Sequence, residues 1–273
     1  EFACVPVPRN VESEIRTWIE RYGLLRIERV PGASGARFEL CSASVSALAD
    51  ALAHESVRKL VTVDAGGHAW LEEHQRGSIK QTLIKLGYPV DDRGGYLDGD
   101  PFPIVLRLAT RAGQPFAPRP YQIEAAQSFY RGGSVLGGNG VVVLPCGAGK
   151  TVVGLTAMSL VGEKTLILTT NTVAVRQWRE ELLDKTGISP GDVGEYTGDE
   201  KSVRPVTVTT YQMLTWRRSK TDGFEHFTLF SRENWGLVIY DEVHLLPAPI
   251  FRVTAALQAR RRLGLTATLV RED

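Results

Sequence analysis

Two stretches of the chain concentrate the residue types that handle phosphate. The run VVVLPCGAGKT (141–151) sets an apolar segment ahead of Gly147, Ala148 and Gly149, with Lys150 and Thr151 opening a helical pattern. Glycine at 147 and 149 frees the backbone to turn its N–H groups toward an anion, and the helix start adds a favourable dipole. Lys150 would reach the β- and γ-phosphates of a nucleotide, and the Thr151 hydroxyl would ligate Mg²⁺. Cys146 is read as a small residue that fits this loop rather than as a redox centre. Leu144 stands where the strict phosphate-loop pattern has Gly, so the match is to GxGK[ST] alone. A glycine turn before a surface lysine is the competing reading, which strand before and helix after disfavour.

The second stretch, LVIYDEVH (237–244), puts four apolar residues ahead of Asp241 and Glu242. Both carboxylates would emerge at the carboxyl end of a buried strand, the ligand edge of an open α/β sheet. Asp241 suits an outer-sphere role toward Mg²⁺, and Glu242 is placed to polarise an attacking water as general base. A DE pair alone is common, but this one follows the phosphate loop by about 90 residues with strands between, the layout of RecA-like ATPases. His244 gains interest only from the neighbouring acids. Thr266 and Thr268 in GLTAT (264–268) are expected to hydrogen-bond the acidic pair and report loss of the γ-phosphate, with the β-propensity of Thr as the alternative.

These groups need a scaffold, and the pattern after residue 118 supplies one. Short Val/Ile/Leu runs at 141–144, 165–170, 206–210, 237–241 and 262–268 alternate with helices from Lys150 and from about Ala174 to Lys185. Such alternation predicts an α/β domain with a parallel sheet covered on both faces. Residues 119–273 are therefore assigned to a RecA-like P-loop domain. Ahead of it, residues 1–108 predict a smaller mixed α/β domain. It would hold an amphipathic helix from Asn10 to Tyr22, a hairpin of 24–30 and 36–40, a helix over 44–54, a strand at 60–64 and a helix over 72–87. A short strand is expected at 104–108, and residues 109–118 are assigned to a linker.

Composition excludes several classes. At 273 residues, with 43% hydrophobic and 23% charged residues, two globular domains are expected, and disorder, collagen and coiled coil are disfavoured. The net charge of +1 makes the chain no polycation, so any DNA contact must be local. The longest apolar run, Val141 to Cys146, is far short of the ~18 residues of a membrane helix, and the first ten residues lack a signal-peptide layout. Three cysteines without CxxC spacing point to reduced thiols, no structural zinc and a cytoplasmic location. Arg outnumbers Lys by 24 to 8, which points to a prokaryotic, GC-rich source. The absence of an initiator Met and the stop at Asp273 suggest part of a longer protein.

GAGKT, DEVH and TAT together resemble superfamily 2 helicases, and LPCGAGKT, TYQML (210–214), WGLVIYDEVHLLPA and GLTATLVRED resemble the XPB-type DNA helicases of nucleotide excision repair. The resemblance is dense over 119–273. The stretches PRNVESEIRTWIERYG and IKQTLIKLGYP are similar to the family's amino-terminal, damage-recognition region. In this family LPCGAGK is the usual form of the loop. The resemblance implies that RPYQ (119–122) is a Q motif in which Gln122, together with Arg119, reads the adenine edge. It implies that TTNTVAVRQW (169–178) is motif Ia, where Asn171, Thr172 and Gln177 would grip a DNA phosphate near a helix amino terminus. Thr210 fits motif Ib, with N-capping as the alternative. Arg271, Glu272 and Asp273 match the RED motif associated with opening the duplex.

The implied activity is ATP-dependent 3′ to 5′ DNA helicase or translocase action in repair, in a nucleoid-associated setting. ATP and Mg²⁺ would be its cofactors. DNA, a second RecA-like lobe of the same polypeptide and a repair nuclease would be its partners, with no membrane. Because an arginine finger from the second lobe is worth ~10³ to 10⁵ in rate, these residues alone are expected to bind nucleotide and hydrolyse it very slowly. Two rival readings are a DNA-damage binding module using ATP only as a conformational switch, and the motor of another superfamily 2 translocase, which should lack LPCGAGK and RED.

Overall fold

The computed structural model describes residues 9–32, 35–72, 75–95, 98–134, 136–216, 226–227, 230, 233–245, 254, 257 and 259–268. The RED triplet at 271–273 lies outside the described residues. The chain divides into two compact units, 1–95 and 96–273.

In the first unit, α1 (Arg9–Arg21) precedes the hairpin of β1 (Leu25–Gly32) and β2 (Gly35–Ser42), which pair antiparallel from Leu25 opposite Ser42 to Gly32 opposite Gly35. Then come α2 (Val45–Ala53), α3 (Glu55–Arg58), β3 (Thr62–Val63), β4 (Ala69–Leu71), α4 (Arg76–Lys85) and β5 (Asp91–Asp92), giving a five-stranded sheet of order β3-β4-β2-β1-β5. The two-residue period of the hairpin turns Leu25, Ile27, Phe38 and Leu40 to one face, where they bury against Ala51, Val57, Ile79 and Leu83. Ser44 caps α2 by accepting the Ala47 N–H at 3.3 Å. The strand expected over 60–64 is only two residues long, and the helix expected from 72 begins at Arg76. The amphipathic helix forms as read, yet it buries none of its residues: Ile15 is 50% and Ile19 68% exposed.

The second unit begins earlier than sequence composition indicated. Residues 98–110, read as the end of the first domain and the start of a linker, are hydrogen-bonded into the second unit. Asp100 N donates to Asn234 O, Phe102 N to Gly162 O, and Arg107 N to Lys185 O. Lys164 pairs with Asp100 at 2.6 Å, and Ile104 is buried in the core of this unit. The expected strand at 104–108 reduces to one bridge, Leu106 to Thr186. A loop-like composition marks irregular backbone; it does not tell which domain that backbone packs on.

After α5 (Pro120–Tyr130) the chain runs β6 (Asn139–Val143), α6 (Lys150–Val161), β7 (Thr165–Thr169), α7 (Thr172–Lys185), β8 (Val193–Tyr196) and β9 (Val206–Thr210). It continues through α8 (Tyr211–Thr215), β10 (Trp235–Asp241) and β11 (Ala259–Thr266). The six strands form one parallel sheet of order β6-β11-β10-β7-β9-β8. Alternate residues of its strands supply two cores. Ile167, Val208, Leu237, Ile239, Leu263 and Leu265 pack with α5, α6 and α7; Leu166, Leu168, Val238 and Tyr240 pack with Tyr211, Leu214 and Phe230. This is the α/β, RecA-like parallel architecture expected from the strand-helix alternation. The Walker-type strands β6 and β10 both flank β11, so their carboxyl ends open onto one edge of the sheet. Among the described residues no helix is long and apolar enough to cross a membrane.

Candidate functional site

The phosphate loop spans the six residues between β6 and α6. Gly147 and Gly149 adopt φ of +77° and +80°, a region that residues with a Cβ rarely enter. Around Gly147 nothing lies within 4 Å of where a Cβ would stand, whereas at Gly149 a Cβ would come within 2.4 Å of Gln122 Nε2. The loop is thus open to solvent at one glycine and pressed against α5 at the other. Cys146 is exposed, and Thr151, half-buried, follows Lys150 in the first turn of α6.

Gln122 is buried at 4% exposure, and both ends of its amide are occupied by backbone. Its Oε1 accepts Arg119 N at 2.8 Å, which caps α5, and its Nε2 donates to Ala148 O at 2.8 Å. Tyr121 donates from its hydroxyl to the same carbonyl at 2.7 Å, and exposed Arg119 donates to that hydroxyl at 3.3 Å. The Q-motif glutamine, read from resemblance as reaching an adenine edge, here fastens the phosphate loop to α5. That role was not legible in the sequence, because the amide meets a carbonyl 26 residues away.

Across the sheet edge, β10 ends at Asp241 and the chain turns sharply at Glu242, whose φ of +50° is unusual for a residue with a side chain. The turn directs the Glu242 carboxylate toward the loop: its Oε1 lies 3.2 Å from Lys150 Nζ. Its Oε2 is buried and has no hydrogen-bond partner among the described residues. Asp241 is held on three sides. Oδ2 accepts the indole N–H of Trp178 at 2.8 Å, Oδ1 accepts Glu242 N at 3.1 Å, and the carbonyl accepts the Tyr211 hydroxyl at 2.8 Å. Burial raises the Asp241 carboxyl above its ordinary pKa; the Trp178 bond opposes that rise, and the neighbouring Glu242 charge adds to it. Burial, with Asp241 and Glu242 charges as lesser causes, also pushes the Tyr211 phenol far up, so it stays a donor.

The threonines meet the acids through His244, which corrects the direct bond expected from sequence. Thr266 Oγ1 lies 2.7 Å from His244 Nδ1 and donates its own proton to Thr268 O at 3.0 Å. The same nitrogen is 3.5 Å from Glu242 Oε2, an oxygen without a hydrogen-bond partner among the described residues. Thr268 enters through its backbone, its N–H also reaching Thr266 Oγ1.

Among the residues read as DNA-facing, Asn171, Thr172 and Gln177 are exposed on the first turns of α7. Asn171 caps that helix, accepting Ala174 N at 2.9 Å, so its carbonyl oxygen is committed to the chain. Thr210 is 6% exposed at the cap position of α8, which leaves its hydroxyl little access to a ligand.

Do these groups suit a nucleotide and its metal? A lysine whose one ion pair among the described residues is with Glu242, a carboxylate oxygen without a hydrogen-bond partner among them, two adjacent half-buried acids and a glycine loop with free space at Gly147 fit a polyanion carrying a divalent cation. Lys150, Thr151 and the loop N–H groups would hold the phosphates, and Thr151 with Asp241 the metal.

A family model described as "Type III restriction enzyme, res subunit" matches residues 115–271, more than half of the chain. The chain belongs to this family. Over its full length the chain is 47% identical to a protein named DNA 3'-5' helicase XPB from Kineococcus radiotolerans, covering 100% of this chain and 46% of that one. It is 46% identical to the protein of the same name from Mycobacterium tuberculosis, over 98% of this chain and 46% of that one. To the putative DNA 3'-5' helicase Rad25 of Halobacterium salinarum it is 42% identical over 75% of this chain. The chain spans about half the length of the first two relatives. The likeness to XPB-type proteins therefore extends over the first unit as well.

Proposed function

We propose that the chain is the ATP-binding half of an ATP-dependent 3′ to 5′ DNA helicase or translocase of XPB type acting in DNA repair, with ATP and Mg²⁺ as cofactors. The observation that carries this reading is the 3.2 Å approach of Lys150 Nζ to Glu242 Oε1, which joins the glycine loop to the acidic strand tip. Lys150 would exchange that partner for the more highly charged phosphates. Glu242, released, would turn its carboxylate to a water and accept its proton, while His244 and Thr266 limit where it swings. Asp241 stays fixed by Trp178 and Tyr211. A bound Mg²⁺ would neutralise phosphate charge as it develops. Single-stranded or damaged duplex DNA is the expected macromolecular partner, met by exposed Thr172 and Gln177 on α7 and by the RED triplet. A second RecA-like lobe, a repair nuclease and a cytoplasmic, nucleoid-associated setting in a prokaryote complete the reading.

Titration with a fluorescent ATP analogue tests it. Lys150→Ala is expected to weaken nucleotide binding by at least tenfold, and Glu242→Gln to bind normally while hydrolysis in single turnover falls by ~10² or more. Equal binding by wild type and Lys150→Ala would remove the basis for a motor. Strand displacement on tailed duplexes, with the chain joined to the part of the two relatives that it does not span, reads the polarity.

A further inference from the structure

Trp178 lies with Val175 and Leu182 on the buried face of α7. At 2% exposure it is core, but its only polar atom is aimed elsewhere: Nε1 donates to Asp241 Oδ2 at 2.8 Å across 63 residues of chain. The ring reaches that position because Gly154 of α6 has no side chain; a Cβ there would stand 2.6 Å from Trp178 Cη2. The indole is therefore wedged between the helix that carries Lys150 and the strand that carries Asp241.

Asp241 has two carboxylate oxygens. Oδ1 is taken by Glu242 N at 3.1 Å and Oδ2 by the indole, and each oxygen keeps lone-pair capacity for a further ligand. A short carboxylate with both oxygens engaged in this way cannot rotate about its last bond without losing a charge-assisted hydrogen bond. Tyr211, from α8, fixes the carbonyl of the same residue at 2.8 Å, so backbone and side chain are anchored from two different elements. We infer that Trp178 is a positioning residue that sets the orientation of the Asp241 carboxylate toward a divalent cation and links that orientation to the placement of α7. It acts through Asp241 and touches neither nucleotide nor metal. The inference rests on the nucleotide reading above and adds the group that orients its metal-facing acid.

The test separates the N–H from the bulk of the ring. Incorporating 3-benzothienylalanine at position 178 keeps the fused-ring volume and replaces N–H by sulfur; Trp178→Phe serves as the simpler variant. Binding of a fluorescent ATP analogue is titrated first without magnesium and then with rising Mg²⁺. Both variants are expected to bind the analogue without magnesium as wild type does. The Mg²⁺ concentration for half-maximal enhancement is expected to rise on the order of tenfold. In nitrogen-15 spectra the chain has five indole resonances, one per Trp, and that of Trp178 is assigned by its loss in Trp178→Phe. It is expected to move on addition of magnesium and nucleotide together, and in Asp241→Asn without any ligand.

An unchanged magnesium midpoint in the benzothienylalanine chain overturns the inference, as does an indole resonance that ignores both the ligands and Asp241→Asn. If instead the wild type shows no magnesium-dependent nucleotide binding, the nucleotide reading falls and this inference with it, an outcome visible before any variant is made. Should Trp178→Phe fail to fold, the isosteric chain carries the decision alone.

Discussion

At the scale of single residues, Gln122 has the most specific assignment beyond the motif core. It caps α5 with one end of its amide and grips the phosphate loop with the other. Gln122→Ala would leave the Ala148 carbonyl with Tyr121 as its remaining side-chain donor and the α5 amino terminus uncapped. The expected effect is a roughly tenfold loss of nucleotide affinity with a fall in stability of about 1 kcal/mol, read by analogue titration and thermal unfolding. Gly149→Ala should do more harm than the glutamine change. It must accommodate a Cβ 2.4 Å from Gln122 Nε2 while keeping φ near +80°, and both requirements deform the same loop. An affinity for nucleotide equal to wild type in either variant would show that the loop does not depend on α5.

Among elements, the clamp between α4 and β5 in the first unit makes a pH prediction. Asp92 accepts from Arg76 and Lys80, each at 2.7 Å. Burial pushes its carboxyl up, but the hydrogen bonds and charges of Lys80 and Arg76 outweigh this and hold it below the usual carboxylate range. A carboxyl whose folded pKa lies below its unfolded value of about 3.9 adds stability above that pH and loses it as pH falls through the folded pKa. Unfolding free energy should therefore drop below about pH 4 in wild type and respond less in Asp92→Asn. At neutral pH that variant should cost about 3 kcal/mol, because Arg76, 2% exposed, loses its carboxylate. Urea denaturation across the acid range, followed by a probe in the first unit, checks both statements.

For the whole molecule, the division at residue 95 rather than beyond 108 has a measurable consequence. Residues 96–273 should fold as an independent unit with nucleotide affinity close to that of the full chain. Residues 119–273, the domain delimited by motifs alone, lack Ile104 at 4% exposure and the partly buried Phe102 and Leu106 that pack on the main core. Their loss removes about 3 kcal/mol or more of apolar burial, together with the backbone bonds to Gly162 and Lys185. The shorter piece should melt at lower temperature in a calorimetric scan. Equal melting temperatures for the two pieces would show that the segment before residue 119 is a passive linker.

Local chemistry decides which of these features can be read from the chain itself. Glycine spacing, a lysine opening a helix, and an acidic pair after four apolar residues fix the phosphate loop, the acidic strand tip and the parallel sheet between them. Each depends on neighbours within a turn or a strand, where backbone sterics and hydrophobic period act. Tertiary structure alone decided that Trp178 and Tyr211 hold Asp241, that Gln122 grips the loop, that His244 stands between Thr266 and the acids, and that residues 98–110 belong to the second unit. The physical reason is common to all four. Whether a backbone or side-chain group donates or accepts is a local property, but its partner is chosen by packing between segments tens of residues apart, and no periodicity records that choice.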